Sequence, residues 1–118
     1  MSFVWSEIGT ESELNNILAG AYDSSNKFPL ILKHSKRCVL SGMAKNRLER
    51  NSDDRLSYYI IDVIGNRKIS DLLSEKTGVR HESPQMFLFS GSSLISVKSH
   101  MAIDSSEIQT KLDSLIRT

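Results

Sequence analysis

The chain has 118 residues, of which 39% are hydrophobic and 25% are charged, a composition typical of a globular protein that encloses its own core. Its formal net charge is only +1, so we expect no nucleic-acid partner, and its longest apolar runs are too short to span a membrane. The start of the sequence lacks the pattern of a secretory signal, and the single cysteine cannot form an internal disulfide, which predicts one cytoplasmic domain over residues 1–118.

The first half of the chain predicts a helix, a strand, a second helix and a second strand. Thr10 and Glu13 form a capping box that opens a helix over 11–22, with Leu14, Ile17, Leu18 and Tyr22 at helical spacing. Residues 28–34 form a short apolar run typical of a buried strand, and 38–51 follow helical spacing. Residues 56–63, LSYYIIDV, give the strongest strand pattern of the chain.

The second half predicts a helix, a hairpin and a final helix. Asn66 is placed to cap the helix, which Thr77-Gly78 ends. QMFLF and SLISVK are two strands joined by a turn at 90–92, and Asp104 with Glu107 opens the last helix. Strand–helix–strand implies a parallel crossover and the hairpin adds antiparallel strands. The result is an α/β fold, a central mixed four-stranded sheet flanked by helices, with an extra N-terminal helix.

Cys38 follows the first predicted core strand and stands where a helix begins. A lone cysteine is commonly an inert packing residue, and composition alone favours that interpretation. Three residues later, where dithiol oxidoreductases carry a second cysteine, the chain has Ser41. A serine hydroxyl can donate a hydrogen bond to a thiolate but cannot form a disulfide. If Cys38 is a nucleophile, its chemistry is therefore that of a monothiol.

Three segments carry a resemblance to a known family. They are KHSKRCVLSG at 33–42, YYIIDVIGNRKISDLLSEKTGVRHESPQ at 58–85 and FLFSG at 87–91. Their order, with a cysteine after the first core strand and a proline before the hairpin, resembles the thioredoxin-like fold. Within it, the segments resemble the monothiol bacilliredoxins of the bacillithiol system. The family typically shows threonine, cysteine, proline, isoleucine and serine at the site, whereas this chain has Arg37, Cys38, Val39, Leu40 and Ser41.

The resemblance implies roles for residues on both sides of the site. It places Cys38 at a helix N-terminus, where free amides and the helix dipole favour the thiolate, with Arg37 as cationic support. Ser41 is then an auxiliary hydrogen-bond donor near the thiol. By the same resemblance, the Ser83–Pro84 bond is cis, and the free backbone groups of Ser83 bind an extended substrate segment.

Other polar residues near the site have two interpretations each. His34 and His81 either tune the thiolate or contact a carboxylate of the small thiol, or they are merely solvated. Lys33, Lys36, Arg37 and Arg80 form a basic rim that suits a carboxylate-bearing thiol such as bacillithiol, or are a solvated surface. Cys38, His34 and His81 lack a fourth ligand, so no metal site is predicted, and no orienting acid completes a Cys–His protease pair. Phe3, Val4 and Trp5 are expected to cover the core.

The sequence thus predicts a thiol–disulfide oxidoreductase that resolves mixed disulfides between bacillithiol and protein cysteines through Cys38. Bacillithiol is the co-substrate, with no tightly bound cofactor. The partners are bacillithiolated client proteins, and a low-molecular-weight thiol or another redoxin acts as reductant. Two alternatives remain open: a non-catalytic thioredoxin-like binding module in which Cys38 is vestigial, and a monothiol redoxin that uses glutathione or coenzyme A.

Overall fold

A computed structural model describes residues 4–20 and 27–116. These residues form a mixed β-sheet with helices on both faces. In chain order the elements are β1 (Ser6–Glu7), α1 (Glu11–Leu18), β2 (Phe28–His34), α2 (Val39–Arg50), β3 (Leu56–Asp62), α3 (Arg67–Thr77), β4 (Gln85–Ser90), β5 (Ser93–Ser99), a short 3-10 helix (His100–Ala102) and α4 (Ser105–Ile116).

The sheet has five strands in the order β1-β3-β2-β4-β5, one more than the sequence predicts. The additional strand, β1, pairs in parallel with β3 through Ser6 opposite Tyr59 and Glu7 opposite Ile60. A strand of two residues is too short to show an alternating pattern, which is why the sequence gives no signal for it. The remaining pairs follow the prediction: β2 is parallel to β3, and β4 and β5 form an antiparallel hairpin.

The helix ends follow the local sequence with two exceptions. Thr10 caps α1 as predicted, because its hydroxyl accepts from the Glu13 amide at 3.1 Å. The helix ends at Leu18, earlier than the predicted 22, and Gly20 just beyond it has a φ of 79° that favours glycine. Tyr22 and Phe3 lie outside the described residues. Asn66 occupies the N-cap of α3 but makes no side-chain capping bond, whereas Gly78 ends the helix in a left-handed conformation, as predicted.

Two apolar cores lie on the two faces of the sheet. α2 and α4 pack on one face, against a cluster that includes Leu30 and Leu32 of β2. α1 and α3 pack on the other face, against a cluster that includes Ile31. Trp5 packs against the first cluster and meets the Tyr58 ring edge-on at 5.4 Å, while Val4 is exposed and does not cover the core.

The topology brings two distant segments to one edge of the sheet. β2 and β3 are parallel, so their carboxyl ends lie together, and the loop that follows β2 leads into Cys38 and α2. β4 runs antiparallel to β2, with Lys33 opposite Gln85. The start of β4 therefore lies beside the end of β2, and residues 83–84 come to the same edge as Cys38. No described helix is long and apolar enough to cross a membrane.

Candidate active site at the carboxyl end of β2

Cys38 is the N-cap residue of α2 and is a free, half-buried cysteine. Its backbone is extended, with φ −105° and ψ 120°, and its carbonyl accepts from the Gly42 amide at 3.1 Å. The side chain makes no capping hydrogen bond. The first amides of an α-helix have no partner within the helix and carry the positive end of its dipole. Cys38 therefore stands at the end of α2 that offers free backbone amides.

Ser41 lies in the first turn of α2 but is fully buried, and its hydroxyl serves neighbours other than the thiol. Ser41 Oγ accepts from the Ser35 amide at 3.0 Å and lies 2.7 Å from His34 Nδ1. No hydrogen bond joins Ser41 to Cys38, both of which the structure describes. The predicted hydrogen bond from Ser41 to the thiol is therefore not formed. Ser41 instead connects the 35–38 loop and β2 to α2, the helix that Cys38 begins.

His34 is the last residue of β2 and is only 8% exposed. Burial lowers the pKa of His34, and the nearby Lys45 ammonium lowers it further. At neutral pH the ring is therefore uncharged and paired with Ser41. Its burial disagrees with the predicted contact between His34 and a substrate carboxylate, since the ring lies beneath the loop and not on the surface.

The Ser83–Pro84 peptide bond is cis, and Pro84 is buried at the start of β4. The Pro84 carbonyl accepts from the His100 amide at 2.9 Å. Ser83 is half-buried, and its Oγ is enclosed without a hydrogen-bond partner among the described residues. A buried hydroxyl without a partner is costly unless a ligand or water satisfies it, which makes Ser83 a group with spare hydrogen-bonding capacity beside the predicted substrate edge.

Lys33 is completely buried, so it does not belong to the predicted basic rim. Its Nζ donates to Ser74 Oγ at 2.6 Å and lies 3.0 Å from His81 Nδ1. The ammonium also lies 5.6 Å from the centre of the Phe87 ring. Burial lowers the pKa of Lys33 to about 8. A charge within an apolar strand, as in LILKH, is the sequence signal that marks this residue as unusual.

Two further residues, neither of them predicted as a site residue, hold the segment that precedes β4. Gln85 is buried, donates through Nε2 to the Arg80 carbonyl at 3.0 Å, and accepts through Oε1 from the Glu82 amide at 3.3 Å. His100 Nε2 lies 2.8 Å from a Glu82 carboxylate oxygen. These contacts, with that of His81 to Lys33, fix the 80–85 segment from several sides.

The cations of the rim that are exposed are Lys36, Arg37 and Arg80. Lys36 lies 3.7 Å from Asp62, at the end of β3. The Gly65 amide lowers the pKa of Asp62, with the Ile64 amide adding to the effect, so this carboxylate is ionised and partly neutralises Lys36. Arg37 is exposed, directly precedes Cys38 in the chain and forms no ion pair with any described residue.

The surface next to Cys38 also has apolar side chains. Val39 is 78% exposed, and Leu40 and Met43 are 45% and 44% exposed. All three lie on the first turns of α2, immediately after the cysteine. Exposed apolar side chains that cluster around a functional group are typical of a surface that contacts another protein.

The described residues contain no group of three histidine, cysteine or acidic side chains that could hold a metal ion. Lys33 and His34 are consecutive in β2, so their side chains point to opposite faces of the sheet. His34 pairs with α2 on one face, while His81 pairs with Lys33 on the other. The two histidines are thus separated by the sheet.

Known proteins match both the sequence and the fold. The family model of the monothiol bacilliredoxin BrxC matches residues 6–108. A protein described as a proposed oxidoreductase with a thioredoxin fold superposes with a TM-score of 0.78 at 27% identity, over 91% of this chain and 92% of the other. Thioredoxin from Trypanosoma brucei brucei gives 0.71 at 11% identity, over 98% and 93% of the two chains. A thioredoxin variant from Halobacterium salinarum gives 0.70 at 18% identity, over 96% and 91%. The chain has the thioredoxin fold.

Proposed function

This chain belongs to the monothiol bacilliredoxin family and is a thiol redox protein, and we propose that it resolves mixed disulfides between bacillithiol and protein cysteines through Cys38. The observation that carries the proposal is a free, half-buried cysteine at the N-terminus of α2, with Ser41 where a second thiol would stand. Such a site can accept a thiol from a client but cannot release it alone.

The reaction proceeds in two exchanges. In the first, the Cys38 thiolate attacks the bacillithiol sulfur of the mixed disulfide, the client–bacillithiol S–S bond breaks, and the client cysteine leaves as a thiolate that takes up a proton. Cys38 now carries bacillithiol in a new S–S bond. In the second, a free low-molecular-weight thiol or a reduced redoxin attacks that bond and releases Cys38. Each exchange forms one S–S bond and breaks one, so its electrons balance without another oxidant.

The groups around Cys38 fit this chemistry. The free amides of α2 and Arg37, which has no ion pair among the described residues, favour the thiolate, both as the attacking group and as the leaving group of the second exchange. The exposed Val39, Leu40 and Met43 offer contact area for a client protein. The half-buried Ser83 provides backbone and hydroxyl groups for an extended client segment.

The choice of bacillithiol over other thiols rests on family membership and on charge. Bacillithiol carries the two carboxylates of its malate group, and the exposed Arg37 and Arg80 supply positive charge that favours such a thiol. A reactive monothiol needs a reducing compartment and an abundant thiol partner, so we place the protein in the cytoplasm, with bacillithiol as co-substrate and no tightly bound cofactor.

A panel of modified clients tests this proposal. One client protein is prepared with bacillithiol, glutathione or coenzyme A on its cysteine, and its reduction is followed with the matching free thiol as reductant. We expect the fastest turnover with bacillithiol and none with Cys38→Ser. Equal or faster turnover with glutathione or coenzyme A would overturn the choice of thiol. Client binding that persists without turnover of any adduct would favour a non-catalytic binding module.

A further inference from the structure

A polar cluster lies inside the apolar face of the sheet that packs against α3. Its members are Lys33 of β2, Ser70 and Ser74 of α3 and His81 of the segment before β4. Lys33 and Ser70 are fully buried, whereas His81 is exposed on its outer side. The cluster links the strand that leads to Cys38 with the segment that carries Ser83 and Pro84.

The ammonium of Lys33 determines which nitrogen of His81 carries the proton. An ammonium has three donors and no acceptor, and here it donates to Ser74 Oγ at 2.6 Å and faces His81 Nδ1 at 3.0 Å. Nδ1 must therefore be the unprotonated acceptor, and the neutral ring carries its proton on Nε2. Ser70 Oγ, at 3.4 Å, approaches the same nitrogen. If Nδ1 carried the proton, its N–H and the Lys33 ammonium would be two donors facing each other with no acceptor between them.

The two nitrogens of an imidazole point in divergent directions. Because Nδ1 faces the buried ammonium and His81 is exposed, Nε2–H is the ring donor left for solvent or a ligand, in the segment that reaches the same edge of the sheet as Cys38. A neutral N–H donor at that place suits an oxygen of an anionic ligand. The charged groups that act on His81 are Lys33 from β2, Asp71 and Arg67 from α3, and Glu82 from its own segment.

We propose that Lys33 is a positioning residue that fixes His81 as the neutral Nε2–H tautomer and directs this donor at a carboxylate of the thiol bound to Cys38. This inference rests on the proposed function, because it assigns the recognition of the anionic thiol in the same reaction. Lys33, which is buried outside the thiol site, then contributes to the selectivity for one thiol over another. The segment before β4 is the part of the site that selects the thiol.

Heteronuclear NMR of the histidine rings tests the tautomer in the wild-type protein, with no need for a variant or for activity. The nitrogen shifts of His81 should show an unprotonated Nδ1 and a protonated Nε2 across neutral pH. In Lys33→Met, an apolar replacement of similar length, the shifts should move toward a mixture of tautomers. Lys76→Met, which removes an exposed lysine at the end of α3, should leave them unchanged. A protonated Nδ1 in the wild type overturns the inference.

Kinetics with two adducts test the role in selectivity. One client carries bacillithiol and the other carries 2-mercaptoethanol, which has no carboxylate. Loss of one hydrogen bond to a charged acceptor corresponds to about tenfold, so Lys33→Met and His81→Phe should raise KM for the bacillithiol adduct by about tenfold, with kcat within about twofold. KM for the neutral adduct should not change.

The two outcomes separate this inference from the proposed function. If the wild type does not turn over the bacillithiol adduct, the proposed function fails, whatever the tautomer. If the wild type turns it over and both variants lose the same factor on both adducts, the function stands and the role of Lys33 in selectivity is wrong.

Discussion

The buried ammonium of Lys33 predicts an unusual rise of stability in alkaline solution. Lys33 is completely buried, and burial lowers its pKa from 10.5 to about 8. Between these values the unfolded chain holds a proton that the folded chain has released. Stability rises with pH wherever the unfolded state binds more protons. The contribution of Lys33 to the free energy of unfolding should therefore increase from about pH 8 and level off above pH 10.5.

The size of the rise follows from the shift. A change of one pKa unit corresponds to about 1.4 kcal/mol, so lowering the pKa from 10.5 to about 8 gives a contribution of about 3 kcal/mol. Most domains are stable by only about 5–15 kcal/mol, so the effect is large enough to measure. Tyr58 opposes it above pH 10, because burial raises the pKa of its phenol and the folded state then holds the proton longer.

Comparison with Lys33→Met isolates the contribution of Lys33, because Tyr58 is common to both proteins. Urea unfolding at intervals between pH 7 and pH 10.5 gives the free energy of each. The free energy of unfolding of the wild type should rise by about 3 kcal/mol relative to that of the variant across this range. If the difference between the two proteins stays constant with pH, Lys33 is not held as a desolvated ammonium, and the reasoning about its cluster with His81 is wrong.

Three further predictions concern the loop and helix around Cys38. Ser41→Ala leaves the buried His34 Nδ1 and the Ser35 amide without their partner. The free energy of unfolding in urea should therefore fall by about 2 kcal/mol, whereas the exposed control Ser92→Ala should show no loss. An unchanged urea midpoint in Ser41→Ala would contradict these two hydrogen bonds. The pKa of His34 is lowered by burial, so the free energy of unfolding should fall as the pH drops below about 6.5. His34→Gln should make this dependence on pH less steep. The same dependence in the variant and the wild type would count against the buried, neutral His34. Val39→Pro should raise the free energy of unfolding by about 0.5–1 kcal/mol, because Val39 is the first residue of α2 and the extended Cys38 already has the conformation that a following proline requires. A melting temperature below that of the wild type would refute this.

The elements that carry the site were predictable because each has a strong local signal. The apolar β2 run, the LSYYIIDV strand and the turn at 90–92 all agree with the structure. Cys38 was expected at the start of a helix and is the N-cap of α2. The order of these elements, together with the motif around the cysteine, was sufficient for the fold.

The contacts inside the site were not predictable, because they depend on which face of an element each side chain occupies. Ser41 was expected to serve the thiol, yet its first-turn position points it into the protein, where His34 and the Ser35 amide take its hydroxyl. Lys33 was expected on the surface, since lysines are rarely buried without a partner. Its partners, Ser74 and His81, lie 41 and 48 residues away in the chain, and only the fold brings them together.

The most direct test of the account is the intact mass of the protein after the first of the two exchanges. The reduced chain is mixed with a bacillithiolated client in the absence of free thiol, and the reaction is quenched with acid. The masses of both proteins are then measured by mass spectrometry. The account predicts that the mass of one bacillithiol moves from the client to this chain, that fragmentation places it on Cys38, and that Cys38→Ser abolishes the transfer while Ser41→Ala retains it. A client that keeps its adduct while Cys38 stays unmodified would contradict the account.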